Sequence, residues 1–102
     1  MGDKFQKLYN ETLVTYDIQD NKDRTKLSDE LKDIGLISIQ RSVFWGYLLP
    51  AEERNLIYLF NKYCQNEDKA IYTRANFVKN ISFQTVGYSP EFFNLLKSYE
   101  II

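Results

Sequence analysis

Histidine is absent from this chain and Cys64 is its only cysteine. Imidazole acid–base catalysis, a Cys/His zinc site and an intrachain disulfide are therefore excluded. The groups left for chemistry are carboxylates, tyrosine, lysine and a hard cation held by oxygen. Among the carboxylates Asp17 is the best placed. It falls near the end of TLVTYDIQ (12–19), an alternating, β-branched run that reads as a strand closing on an acid. Two uses compete for such an acid: accepting backbone N–H groups in the turn that follows, or holding a cation.

The nearby cations are Lys22, Arg24 and Lys26, with Arg41 and Arg74 further on inside strand patterns. Each is suited to a phosphate, and each also suits a solvated helix face or an open sheet face beside acids. With 13 Lys+Arg against 14 Asp+Glu the net charge is −1. Any affinity for nucleic acid must then come from a local patch, or from one doubled by dimerisation. Aromatic side chains make up 16% of the chain. Most of Phe44, Tyr58, Phe60, Tyr63 and Phe83 read as core, since they fall on apolar faces; Trp45, Tyr47 and Tyr72 could stack on bases, although their spacing matches no RNA-recognition signature.

The elements that must position these residues follow from periodicity. Residues 1–11 carry only Phe5, Leu8 and Tyr9 at helical spacing, too short a run to hold alone, and read as an N-terminal arm. After the 12–19 strand, residues 23–34 place Leu27, Leu31 and Ile34 on one helical face, with Asp20 or Asn21 to cap the start and Gly35 to end it. Residues 36–49 (LISIQRSVFWGYLL) are apolar on both faces and read as one bent strand or two short ones, turning at Ser42 or Gly46. Pro50 opens a second helix with the stripe Leu56, Leu59, Phe60 and Tyr63. Residues 69–78 and 81–87 alternate as strands around a Lys79–Asn80 turn, and Ser89–Pro90–Glu91 starts a last short helix.

At 102 residues, 44% hydrophobic and 26% charged, the chain fits one domain over 12–88 with a helical tail over 89–102. A domain of this size buries roughly 65% of its unfolded surface, so a partner subunit would add useful stability. The element order fits an α+β, ferredoxin-like sandwich, an antiparallel sheet with helices on one face. No run approaches the roughly 18 apolar residues of a membrane span, and MGDKFQKL has no hydrophobic signal core. Gln6 stands where a myristoylation signal needs Ser or Thr, so a cytoplasmic protein is expected.

Across about residues 13 to 65 the chain resembles the small CRISPR-associated spacer-acquisition endonuclease, the second universal adaptation protein. The resemblance is carried by Tyr16-Asp17-Ile18, then Asp20 and Arg24 before Lys26-Leu27, then Gly35-Leu36, and then Gln40, Ser42, Val43, Phe44 and Gly46. The chain departs from the pattern at Asp23, where a second basic residue is common, and at Trp45, where a polar residue is frequent.

The resemblance implies a homodimer whose C-terminal strand is exchanged onto the partner's sheet. It also implies a CRISPR-associated integrase subunit as partner, duplex protospacer DNA or single-stranded RNA as ligand, and no membrane. Asp17 would be catalytic and, one from each protomer, would hold Mg²⁺ or Mn²⁺. Two carboxylates about 4 Å apart repel by ~4 kcal/mol at an effective dielectric near 20, which a shared cation removes. The cation would also activate water for phosphodiester hydrolysis. Arg24, Lys22, Lys26, Arg41 and Arg74 would meet the nucleic-acid backbone, and Phe92, Phe93 and Leu96 would dock the partner. The rival expectation is a toxin-like, metal-dependent ribonuclease of the same dimeric plan.

Overall fold

The chain is described by a computed structural model over residues 9–77, 84–89 and 91–93. Strand β1 (Asn10–Asp17) buries Thr12, Val14 and Tyr16 on one face and turns Leu13, Thr15 and Asp17 to the other, as the strand period requires. It begins at Asn10, inside the span read as an arm, because Asn10 pairs in register with Leu48 and its side chain reaches Glu53 at 2.6 Å. Helix α1 (Asn21–Asp33) is capped by Asp20, whose carboxylate accepts the Asp23 N–H at 2.9 Å. Gly35, at φ 104°, takes the left-handed conformation that ends it.

The two-faced segment resolves into two strands, β2 (Ile37–Gln40) and β3 (Val43–Leu48). The turn falls at Ser42, at φ 62°, and a register shift lies between Ser38 and Gln40. Gly46 is no turn: a Cβ there would meet Leu36 Cδ2 at 3.0 Å and the Gly35 carbonyl at 3.3 Å, so its role is close packing of β3 against the α1–β2 connection. Helix α2 (Pro50–Tyr63) starts on proline. Leu49 has no capping side chain, and Glu52 compensates by reaching back to the Leu49 N–H at 2.7 Å. Strand β4 (Lys69–Arg74) completes the sheet.

The sheet order is β2-β3-β1-β4 with every neighbouring pair antiparallel. Both helices lie on one face, where Leu27, Leu31, Leu56, Leu59 and Tyr63 pack on Val14, Tyr16, Phe44 and Leu48. This is the expected α+β sandwich. Part of the other face is covered from the same chain: Trp45 and Tyr47 lie under Phe77, Tyr88, Phe92 and Phe93. Tyr88 Oη also donates to the Ile39 carbonyl at 2.8 Å. That covering explains why the 36–49 run is apolar on both sides.

The Lys79–Asn80 turn and the start of the 81–87 strand lie outside the described residues, and 84–87 are irregular. Of the last helix, 91–93 form a turn and the rest lies outside the described residues.

Candidate active site

Asp17 ends β1, is exposed, and pairs in register with Lys69. It lies on the sheet face away from the helices. Among the described residues its carboxylate receives only a long contact, 3.4 Å, from the Gln19 side chain. The turn-acid role belongs to Asp20, which caps α1. Asp17 is thus left with its oxygens directed outward, which suits an oxygen-ligated cation.

The link from Asp17 to α1 is held from two sides. Arg24 Nη1 donates to the carbonyls of Ile18 at 2.7 Å and Gln19 at 3.4 Å, and Nη2 donates to the Asn21 side chain. From the α2–β4 loop, Asp68 Oδ1 accepts the Gln19 N–H at 3.0 Å.

Beside this link runs an open groove of about 720 Å³ between α1 and the β2–β3 turn, lined among others by Asp17, Arg24, Ser28, Lys32, Arg41 and Ser42. Tyr16 stands at its wall. Burial raises the Tyr16 phenol above its ordinary value, against the opposing pull of its Ser28 and Ser42 hydrogen bonds and the Arg24 charge. It is a protonated donor at neutral pH.

The predicted cations divide. Arg24 and Arg41 line the groove, whereas the exposed Lys22 and Lys26 of α1 are not among its lining residues. Arg74 stands at the opposite end of β4 from Lys69, the register partner of Asp17, and pairs with Glu53 at 3.2 Å. Glu53 is only 6% exposed and is shared with Asn10, so the Arg74 charge has a built partner within the chain. Lys32 was missed by the sequence reading, although Arg24, Ser28 and Lys32 repeat every four residues on α1 and so share a face. Asp68 had no local signal, since only the tertiary fold brings it to Gln19.

Phe93 is buried against Trp45 and Phe77, with ring centroids 4.7 and 5.2 Å apart, and Phe92 is half-buried; Leu96 lies outside the described residues. Trp45 and Tyr47 are buried too, which takes both out of base stacking, while Tyr58, expected in the core, is 60% exposed. Burial and the neighbouring Asp68 push the Cys64 thiol up, so it is no activated nucleophile.

Among the described residues no group of three or more His, Cys, Asp or Glu is arranged to hold a metal ion. The outward carboxylate of Asp17 fits a hard cation as one oxygen ligand. No helix among the described residues is long and apolar enough to cross a membrane.

Comparison with known proteins agrees with this architecture. The family model for CRISPR associated protein Cas2 matches residues 10–86. The chain is 38% identical over 87 residues to "CRISPR-associated endoribonuclease Cas2 1" of Francisella tularensis subsp. novicida, covering 85% of this chain and 90% of that protein. It is 46% identical over 44 residues to "CRISPR-associated endoribonuclease Cas2" of Korarchaeum cryptofilum, covering 43% of this chain and 47% of that one. A crystal structure of Cas2 superposes with a TM-score of 0.63 at 24% identity, covering 80% of this chain and 91% of the other. A chain of a partial Cas6-RT-Cas1–Cas2 complex does so with a TM-score of 0.54 at 24% identity, covering 79% and 94%. A family match over residues 10–86, together with 38% identity across 85% of the chain to one relative, shows that the chain belongs to the CRISPR-associated Cas2 family.

Proposed function

We propose that this chain is the dimeric adaptation subunit that bridges CRISPR-associated integrase subunits and holds duplex protospacer DNA. We further propose that the same dimer cleaves phosphodiester bonds, in RNA or DNA, at a site made by Asp17 from each protomer. The observation that carries the reading is the placement of Asp17: exposed, unclaimed by the helix cap, on a sheet face and beside a groove carrying Arg24, Lys32 and Arg41. The chain's likeness to one member of a Cas1–Cas2 complex supports the integrase partner, and the endoribonuclease name of its Francisella relative supports RNA cleavage.

The sheet face offers a surface for the second copy. Near Asp17 it presents Ile71, 59% exposed, with the half-buried Thr15 and Val43. Burying one such aliphatic side chain in each protomer contributes about 1.5–3 kcal/mol per side chain. Two such faces packed together set Asp17 opposite its copy. The paired carboxylates would hold Mg²⁺ or Mn²⁺, which when bound neutralises their repulsion and activates water. The rest is done by protein groups. Arg41 and Lys32 draw the phosphate backbone along the groove, and Tyr16 offers a neutral hydroxyl at its wall.

Holding and cutting separate in one experiment. Asp17→Asn is expected to leave duplex DNA affinity within about two-fold, because base-independent binding comes from phosphate contacts. The double change Arg41→Gln, Lys32→Gln should weaken binding and reduce its salt slope by about two phosphate contacts per groove. An unchanged slope in a filter-binding or anisotropy titration removes the groove from the nucleic-acid interface.

A further inference from the structure

The geometry points to Arg24 and Asp68 as a pair of positioning residues that clasp the Ile18–Gln19 link from opposite sides and so fix the direction of the Asp17 carboxylate. Resting on the reading of Asp17 as the catalytic acid, this changes the role of Arg24 from a phosphate contact to a backbone clamp and gives Asp68 a role.

Only Ile18, Gln19 and Asp20 connect Asp17 to α1, so any slack in them is slack in the carboxylate. Their polar groups are met one by one. The Ile18 carbonyl accepts from Arg24 Nη1 at 2.7 Å, and the Gln19 N–H donates to Asp68 Oδ1 at 3.0 Å. The Asp20 carbonyl accepts the Arg24 N–H at 3.0 Å. The Arg24 guanidinium thus takes the Ile18 carbonyl and the Asp68 carboxylate takes the Gln19 N–H, each the charge-assisted form of the bond, while the bond to the Asp20 carbonyl is an ordinary helical one.

The clasp is itself anchored. Asp68 Oδ2 accepts the Gln65 N–H at 3.0 Å, the Asp68 N–H returns to the Gln65 carbonyl at 2.8 Å, and the Gln65 side chain donates to Asp23 of α1 at 2.9 Å. The α2–β4 loop, α1 and the end of β1 thus form one hydrogen-bonded unit around the link. The Nη1 and Nη2 end of the Arg24 fork is turned into that unit, toward Ile18, Gln19 and Asn21. A guanidinium has five N–H groups in fixed directions, so committing that end removes the paired grip a phosphate would need there.

The test uses the full chain with Arg24→Gln, Asp68→Ala and Asp68→Asn, each assayed for cleavage with Mn²⁺, for duplex binding across salt, and for exchange of the Gln19 amide proton. Misplacing a catalytic group by about 1 Å costs on the order of a hundred-fold. Arg24→Gln and Asp68→Ala should therefore lower kcat by about ten- to a hundred-fold, with KM within about two-fold and the salt slope unchanged. Exchange at Gln19 should quicken in Asp68→Ala. Asp68→Asn keeps an oxygen acceptor for Gln19 but turns an NH2 toward the Gln65 N–H, so it should recover part of both losses and stand clearly above Asp68→Ala.

A raised KM and a salt slope lower by about one contact per site in Arg24→Gln would return that residue to the phosphate. Asp68→Asn as damaged as Asp68→Ala, with weakened Mn²⁺ binding, would make Asp68 a metal ligand instead. Unchanged Gln19 exchange in Asp68→Ala would remove the clasp altogether. The catalytic reading beneath it fails separately, through full cleavage by Asp17→Asn.

Discussion

Asp17→Asn is expected to lower metal-dependent cleavage by about a thousand-fold or more while leaving the fold in place. The loss follows from the stabilisation a bound cation gives the developing phosphate charge, several kcal/mol, at about 1.4 kcal/mol per factor of ten in rate. The intact fold follows from position. Asp17 is exposed, its carboxylate has one 3.4 Å contact among the described residues, and the helix cap next to it is made by Asp20. Exposed substitutions of this kind stay within about 0.5 kcal/mol of the parent. In the proposed dimer the same change removes the repulsion of two facing carboxylates. In chelator, then, the Asn dimer should associate at least as tightly as the parent, by sedimentation or light scattering. Cleavage that survives the change, in protein shown free of contaminating nuclease, places the chemistry elsewhere.

Trp45→Ala is expected to cost about 3–5 kcal/mol, the usual range for deleting a buried aromatic. Trp45 is 0% exposed, packs edge-on against Phe93 at 4.7 Å and lies near Phe77 and Tyr47. Its indole N–H also donates to Glu11 Oε2 at 2.9 Å, and that same oxygen accepts the Phe77 N–H at 2.7 Å. Removing the ring opens a cavity and loosens the hold on the segment after β4. For a domain near 100 residues, with about 4–8 °C lost per kcal/mol, the melting temperature should fall by roughly 12–40 °C. Trp45→Phe keeps a ring and loses the N–H, so it should lie between parent and Ala. Tyr58→Ala, on the exposed side of α2, should change stability by less than about 0.5 kcal/mol. Equal melting temperatures for the two Ala variants would contradict this account of the second core.

Local periodicity accounts for what the sequence made legible. Leu27 with Leu31, and Leu56 with Leu59 and Tyr63, are buried on the stripes that the helical period drew, since a helix face is set within a few residues. The strand closing on Asp17 was readable for the same reason. The 36–49 segment was ambiguous because it is covered twice, by the helices on one side and by distant aromatics on the other, and no local pattern encodes the second cover. Ser42 could be identified as a turn and Gly46 could be mistaken for one, since a glycine chosen for close packing looks the same in sequence as one chosen for φ.

At the site, sequence revealed which residues carry charge and not where the charge points. Arg24 was legible as a cation, but its aim into the Ile18 and Gln19 carbonyls was not. Arg74 looked the same as Arg41 until the fold placed Glu53 beside it. Asp68 lies far along the chain from Gln19, and only the packing of β4 beside β1 brings the two together.

The central claim is that Asp17 from each of two chains shares one divalent ion, and a calorimetric titration of the purified dimer with Mn²⁺ tests it most directly. The account predicts about one ion for every two chains, and no binding by Asp17→Asn. A stoichiometry of about one ion per chain, or an isotherm that Asp17→Asn leaves unchanged, would contradict it.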